Sequence, residues 1–236
     1  MATRYQLVYQ DLHAKIDEGT YAPGTVLPSE PDLARAYGVS RPTVRHALQL
    51  LADEGLVDRR RNRGTMVLEP KIEQGFAMRI RSFADEMRAA RRLPRTSVLA
   101  CEVVPASPEA ASALGIGSGK PVLRLVRLRY ADDLPNVLVE TTVPHERYRG
   151  IEVTDFEHAS LYATMRKMGS PVVSALRRLD VALADRSTAG ILGIEPGAPV
   201  FVFHTVATNS DGLPAEYSIA TYRGDTNSFE LETRIM

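Results

Sequence analysis

The chain has 236 residues and a mass of 26.0 kDa, enough for one or two domains, and its 44% apolar and 25% charged residues exclude collagen-like, low-complexity and tail-like chains. A single cysteine excludes an intrachain disulfide framework and a multi-cysteine zinc site, no run approaches the roughly 18 apolar residues of a membrane helix, and Met1 to Gln6 lacks the apolar core of a signal peptide, so a soluble, cytoplasmic protein is expected. Lys+Arg and Asp+Glu are both 29, which at face value argues against a nucleic-acid partner and has to be tested segment by segment.

Leu7/Val8, Leu12 and Ile16 recur at helical spacing, and Gly19 stops that helix. Tyr21 to Pro28 reads as a loop or short extended segment. Ser29-Glu30-Pro31-Asp32 is a capped helix start with proline in the first turn, and Gly38 ends that helix. Ser40-Arg41-Pro42-Thr43 opens a second helix with the same grammar, continued by Val44, Ala47, Leu48 and Leu51 to Gly55. A short helix, a glycine turn and a second helix predict a helix-turn-helix. Leu56 to Arg60 and Thr65 to Leu68 flank a polar turn containing Gly64, which predicts a β-hairpin, and a hairpin in that place is a wing.

Charge sharpens this reading. From Arg35 to Arg63 the chain carries seven arginines against Asp53, Glu54 and Asp58, a local excess hidden by the neutral total. The recognition helix of such a motif turns its N-terminal side chains to the major-groove base edges. Those positions hold Ser40, Arg41, Thr43 and Arg45. Arginine can bridge guanine O6 and N7, and hydroxyls suit phosphates. The wing tip is placed for phosphates or the minor groove. The alternative for Arg41 and Arg45 is surface ion pairing, for example with Asp53 or Glu54.

An extended linker is expected after residue 68, over 69–81, followed by a short helix capped by Ser82 with Asp85 at its third position. Free N–H groups at that helix start can hold an anion, although Asp85 and Glu86 in the first turn act against one. The rest of the chain contains an internal echo. Leu114-Gly115-Ile116 before Gly119-Lys120-Pro121-Val122 returns as Leu192-Gly193-Ile194 before Gly197-Ala198-Pro199-Val200, an offset of 192 − 114 = 78 residues. The unit is strand, helix, hairpin, used twice, with leading strands Ser97–Val104 and Val172–Ala184 and an extra helix starting at Ser160. Consecutive hairpins predict a mostly antiparallel sheet with helices on one face, an α+β domain.

In Val122–Tyr130, alternation puts Arg127 and Arg129 on one face with Leu123 and Leu125. Two arginines on a partly buried face require anionic partners. Glu140 on the returning strand could supply one, or the pair awaits an anionic ligand. Glu216 and Tyr222 share a face of the equivalent hairpin. His13, His46, His145, His158 and His204 show no metal-ligand spacing, and Cys101 reads as a core residue of a strand, so no metal and no cofactor are expected.

These residues carry a family resemblance. Pro23-Gly24, Leu27-Pro28-Ser29-Glu30, Leu33-Ala34, Gly38 through Arg45, Gly55-Leu56-Val57 and Arg63-Gly64-Thr65 resemble the winged helix-turn-helix of the GntR family of bacterial transcription regulators. Ser82-Phe83, Glu86-Met87, Arg127-Leu128-Arg129, Glu140-Thr141-Thr142, Ser160-Leu161-Tyr162 and Tyr222-Arg223-Gly224-Asp225 resemble the HutC-type effector domain, called UTRA, of chorismate-lyase-like fold. The resemblance implies a DNA-binding domain over 1–68, a linker over 69–81 and an effector-binding and dimerisation domain over 82–236. It implies a homodimeric repressor on double-stranded, inverted-repeat operator DNA, released or retained by a small anionic effector such as a sugar phosphate. Arg35, Arg41, Arg45, Arg61, Arg63 and Gly64 would contact DNA together with Ser40 and Thr43. Arg127, Arg129, Glu140, Ser160, Glu216 and Tyr222 would line the effector site, with main-chain donors from Ser82, Phe83 and Ala84. Position 84 is alanine where sugar-phosphate-responsive relatives often carry a hydroxyl. Two other readings remain open at this point: an enzyme on the chorismate-lyase-like fold, and a DNA binder that takes no ligand.

Overall fold

The computed structural model describes residues 3–60, 64–68, 71–74 and 82–229, and the chain divides into two compact units, Met1–Lys71 and Ile72–Met236. In the first unit, helices α1 (Arg4–Asp17), α2 (Glu30–Tyr37) and α3 (Arg41–Asp53) precede strands β1 (Val57–Arg60) and β2 (Gly64–Val67). Each helix buries one stripe. Val8, Leu12 and Ile16 of α1 meet Leu33 of α2 and Val44, Ala47, Leu48 and Leu51 of α3 in one cluster. Ser29 and Ser40 cap α2 and α3 by accepting the Asp32 and Thr43 amides, and Gly38 ends α2 in the left-handed region at φ 61°.

Strands β1 and β2 pair antiparallel, with Arg60 opposite Gly64. Gly64 has φ 81°, and a Cβ there would lie 2.8 Å from Val26 Cγ1. Both constraints demand glycine. Gly64→Ala should therefore cost the first unit about 1–3 kcal/mol through backbone strain and the clash. The measurement is thermal melting of the full chain; an unchanged first transition would oppose this account of Gly64. Arg61 and Arg63 lie outside the described residues.

In the second unit the elements are β3 (Ile72–Glu73), α4 (Phe83–Ala89), β4 (Pro94–Pro105), α5 (Pro108–Leu114), β5 (Pro121–Ala131), β6 (Leu134–Pro144), a 3-10 turn (Ile151–Val153), α6 (Leu161–Lys167), β7 (Val172–Leu183), α7 (Arg186–Leu192), β8 (Pro199–Asn209), β9 (Pro214–Arg223) and β10 (Asn227–Ser228). Six strands form one sheet in the order β4-β5-β6-β9-β8-β7, every neighbouring pair antiparallel. The repeat is visible as a duplication: β4, α5 and β5 recur as β7, α7 and β8 at an offset of 78, with β6 and β9 pairing at the centre. Ile72 and Glu73, expected in the linker, instead pair in parallel with Asn227 and Ser228 and belong to the second unit.

Helices cover both faces of the sheet, not one. Helix α5 packs on Val122 and Tyr217, and α7 on Leu128 and Val200. On the opposite face, α4 packs through Phe83 and Met87 on Val137, Val139 and Ala220, and α6 packs through Leu161 and Met165 on Leu123 and Leu125. The reason lies in the strands. β5 is buried at consecutive positions from Leu125 to Leu128, so both faces need an apolar cover. Among the described residues no helix is long and apolar enough to cross a membrane.

Candidate functional site

A cavity in the second unit, about 320 Å³, opens on the sheet face covered by α4 and α6. Ser82, Phe83, Ala84, Arg127, Arg129, Ser160, Glu216 and Tyr222 all line it. Arg127 and Arg129 come from β5, Glu216 and Tyr222 from β9, and Ser82 and Ser160 cap the helices on either side. Ser82 Oγ accepts the Asp85 amide at 3.2 Å and donates to the Asp85 carboxylate at 2.6 Å.

Arg127 is 3% exposed. Its Nη2 donates weakly to Thr141 Oγ1 at 3.5 Å, and the Nε atoms of Arg127 and Arg129 are buried without a hydrogen-bond partner among the described residues. The guanidinium planes lie over aromatic rings instead, Arg127 5.9 Å from the Phe156 centroid and Arg129 5.2 Å from that of Phe83. Burial pushes the Arg127 guanidinium well below its ordinary range, and the neighbouring charge of Arg129 adds to this. Burial likewise lowers Arg129. Glu216 acts in the opposite sense on both, but one of its carboxylate oxygens is also buried without a partner. Burial and the adjacent Glu216 carboxylate keep the Tyr162 hydroxyl protonated, and burial does the same at Tyr222. The cavity therefore offers two concentrated positive charges, a carboxylate acceptor and neutral hydroxyls. Such a set can hold an anion at one end and hydrogen-bond donors at the other.

Glu140 is a correction. It lies on the opposite sheet face, half exposed, where it accepts from Arg124 Nε at 2.9 Å, while Arg124 Nη1 also reaches Glu102 at 3.1 Å. The cause is a β-bulge between Arg129 and Tyr130. Tyr130 faces Pro135, but Arg129 faces Val137, so Asn136 is an extra residue in β6. The one-residue shift turns Val139, not Glu140, toward the cavity beside Arg127. Sequence reasoning also missed Arg177 of β7 and Thr205 of β8, which complete the cavity wall. Arg177 and Thr205 face each other across two strands, and only the register brings them to the site. Tyr162 was legible as part of a motif but not as a lining residue.

In the first unit, Arg41 and Arg45 occupy one exposed face of α3, four residues apart. Arg41 has no ion pair among the described residues. Arg45 pairs with Glu30 at 2.9 Å, not with Asp53 or Glu54, and Arg59 reaches the other oxygen of Glu30 at 2.9 Å. The Arg45 hydrogen bond, with the Arg59 charge, holds the Glu30 carboxyl below its usual range. Glu30 thus orients two cationic side chains from the first turn of α2. Ser40 Oγ and Thr43 Oγ1 lie 2.8 Å apart at the start of α3, and Arg35 pairs with Asp32 at 3.3 Å. Among the described residues no cluster of three or more His, Cys, Asp or Glu could hold a metal.

Comparison with known proteins gives two family matches: residues 4–67 match the bacterial regulatory proteins of the gntR family, and residues 89–227 match the UTRA domain. The chain is 31% identical over 226 residues to the HTH-type transcriptional repressor NagR of Bacillus subtilis, covering 95% of this chain and 92% of that protein. It is 32% identical over 226 residues to the HTH-type transcriptional repressor PhnF of Mycolicibacterium smegmatis, covering 96% and 91%. The crystal structure of PhnF superimposes with a TM-score of 0.76 at 31% identity, covering 97% of this chain and all of that one.

Proposed function

The chain belongs to the gntR family of transcriptional regulators with a UTRA domain, not to an enzyme family, and on that premise we propose that it is a cytoplasmic, homodimeric repressor whose grip on an inverted-repeat operator is modulated by a small anion in the second unit. The observation that carries the anion is the Arg127/Arg129 pair, whose Nε atoms are both buried and without a hydrogen-bond partner among the described residues. An exposed apolar edge strand supports the dimer. Strand β7 is one edge of the sheet, and Leu176 on one face and Val181 and Leu183 on the other are 70–79% exposed. A long apolar edge invites pairing with another strand. Antiparallel pairing of two copies about Leu179 would set Arg178 of each opposite Asp180 of the other.

The mechanism follows from geometry. Two recognition helices read half-sites about one helical turn, roughly 34 Å, apart. A ligand that binds two dimer arrangements with unequal affinity shifts their populations and so the spacing of those helices. The experiment is selection of DNA from a random pool, then operator binding by fluorescence anisotropy with and without phosphorylated and carboxylated metabolites. Enriched two-fold-symmetric sites, two chains per site and at least a ten-fold change of affinity with one class of anion are expected. Operator affinity indifferent to every anion that binds the second unit would overturn the proposal.

A further inference from the structure

The second unit begins at Ile72, the residue after the last one of the first unit. There β3 is clipped to β10 near the other end of the described chain. The Ile72 amide donates to the Thr226 carbonyl at 2.8 Å, and the Gln74 amide to that of Ser228 at 2.9 Å. A buried side-chain bond closes the clip: Gln74 Nε2 donates to Asn227 Oδ1 at 2.8 Å, and Asn227 Nδ2 donates to the Arg223 carbonyl at 2.9 Å. Both amides are 0% exposed. A two-residue parallel pair has little stability of its own, and buried amides cost stability unless matched. Two apolar residues would fill the same space. What the amide pair adds is direction: it fixes one register and is lost on a shift of a single residue.

The apolar side of the clip packs behind the wall of the cavity. Ile72 shares one core cluster with Phe83, Val139, Ala220 and Tyr222, and these four line the cavity. Phe229, next to β10, meets the Tyr222 ring at 5.4 Å and the Phe203 ring at 4.7 Å. An anion that draws Arg129 inward takes a cation off the Phe83 face. An occupant against Tyr222 bears on Phe229. Both strands of the clip are thus one contact removed from the ligand.

We propose that the β3–β10 clip, locked by Gln74 and Asn227, is the element through which occupancy of the cavity is communicated to the chain entering the DNA-binding unit. The inference rests on the anion-responsive reading above and assigns Gln74 and Asn227 as positioning residues. A coupling element of this kind acts by having two arrangements that both sites bias.

The test uses the full chain, inorganic phosphate as probe, and the variants Asn227→Ala and Gln74→Met, the second keeping volume while removing the directed bond. Calorimetry gives phosphate occupancy, hydrogen exchange follows the Ile72 and Gln74 amides, and anisotropy gives operator affinity. In the wild type, saturating phosphate is expected to change exchange at both amides at least five-fold. In both variants phosphate and operator affinities, each measured alone, should stay within about two-fold, while the effect of phosphate on operator affinity falls to less than a third. Clip amides that exchange identically with and without bound phosphate, or variants that retain full coupling, overturn the inference and leave the anion reading standing. Failure of phosphate to bind in calorimetry overturns both, and calorimetry tells the two failures apart.

Discussion

Replacing Arg127 with methionine is expected to leave the second unit at least as stable as the wild type in phosphate-free buffer and to abolish its stabilisation by phosphate. The guanidinium is buried, is not ion-paired in the described structure and lies beside the like charge of Arg129. An unmatched buried charge destabilises, and an apolar side chain of similar volume removes that penalty. An anion supplies the missing counter-charge. At about 100 times its Kd a ligand stabilises by roughly 2.7 kcal/mol, which for a unit of this size is about 5–10 °C in melting temperature. Wild-type protein should show that rise and Arg127→Met should not. Glu216→Gln provides a control of opposite sign, because removing the acidic charge near the arginines should tighten phosphate binding. If Arg127→Met instead melts far below wild type in both buffers, Arg127 is a structural partner of Glu216 and the cavity is not built around an anion.

The second large effect is expected on α3. Arg41→Ala should weaken operator binding far more than Arg45→Ala. A bidentate arginine–guanine contact carries about 1–3 kcal/mol of discrimination. In the proposed dimer two copies double that to about 2–6 kcal/mol, a loss of roughly thirty-fold or more. Arg41 has no ion pair to give up among the described residues, whereas Arg45 is already held by Glu30 at 2.9 Å, a carboxylate it shares with Arg59. Arg45→Ala should therefore cost less, and its effect should fade with salt in the manner of a phosphate contact. Anisotropy on the selected DNA at two salt concentrations reads both. Wild-type affinity in both variants would remove α3 from the interface.

Much of this arrangement is written locally. Ser29, Ser40, Ser82, Ser107 and Ser160 announce helix starts, and each one accepts a backbone amide three residues on. The repeat of 78 residues shows in the glycine and proline punctuation alone and reappears as two sets of strand, helix and strand at the same offset. The pairing of Arg127 with Arg129 on one face needs nothing more than alternation along a strand.

Other features depend on distant parts of the chain. Glu140 failed as a partner because one extra residue, Asn136, turns the rest of β6 over. Parity within a strand is a local property; which face that parity matches on the next strand is set by the bulge. Arg177 and Thr205 reach the cavity through a register between strands, and Glu30 gathers Arg45 and Arg59 from positions 15 and 29 residues away. The clip at Ile72 joins residues 153 apart, Gln74 and Asn227. The sequence by itself determined the two domain types, the helix ends, the exposed arginines of α3 and the placement of Arg127 and Arg129 on one strand face, because caps, periodicity and alternation act within a few residues. Tertiary structure alone decided which acid faces which arginine, which sheet face holds the cavity and what pairs with Ile72 and Gln74, because those depend on strand register and on contacts between residues far apart in the chain, where a shift of one residue reverses the outcome.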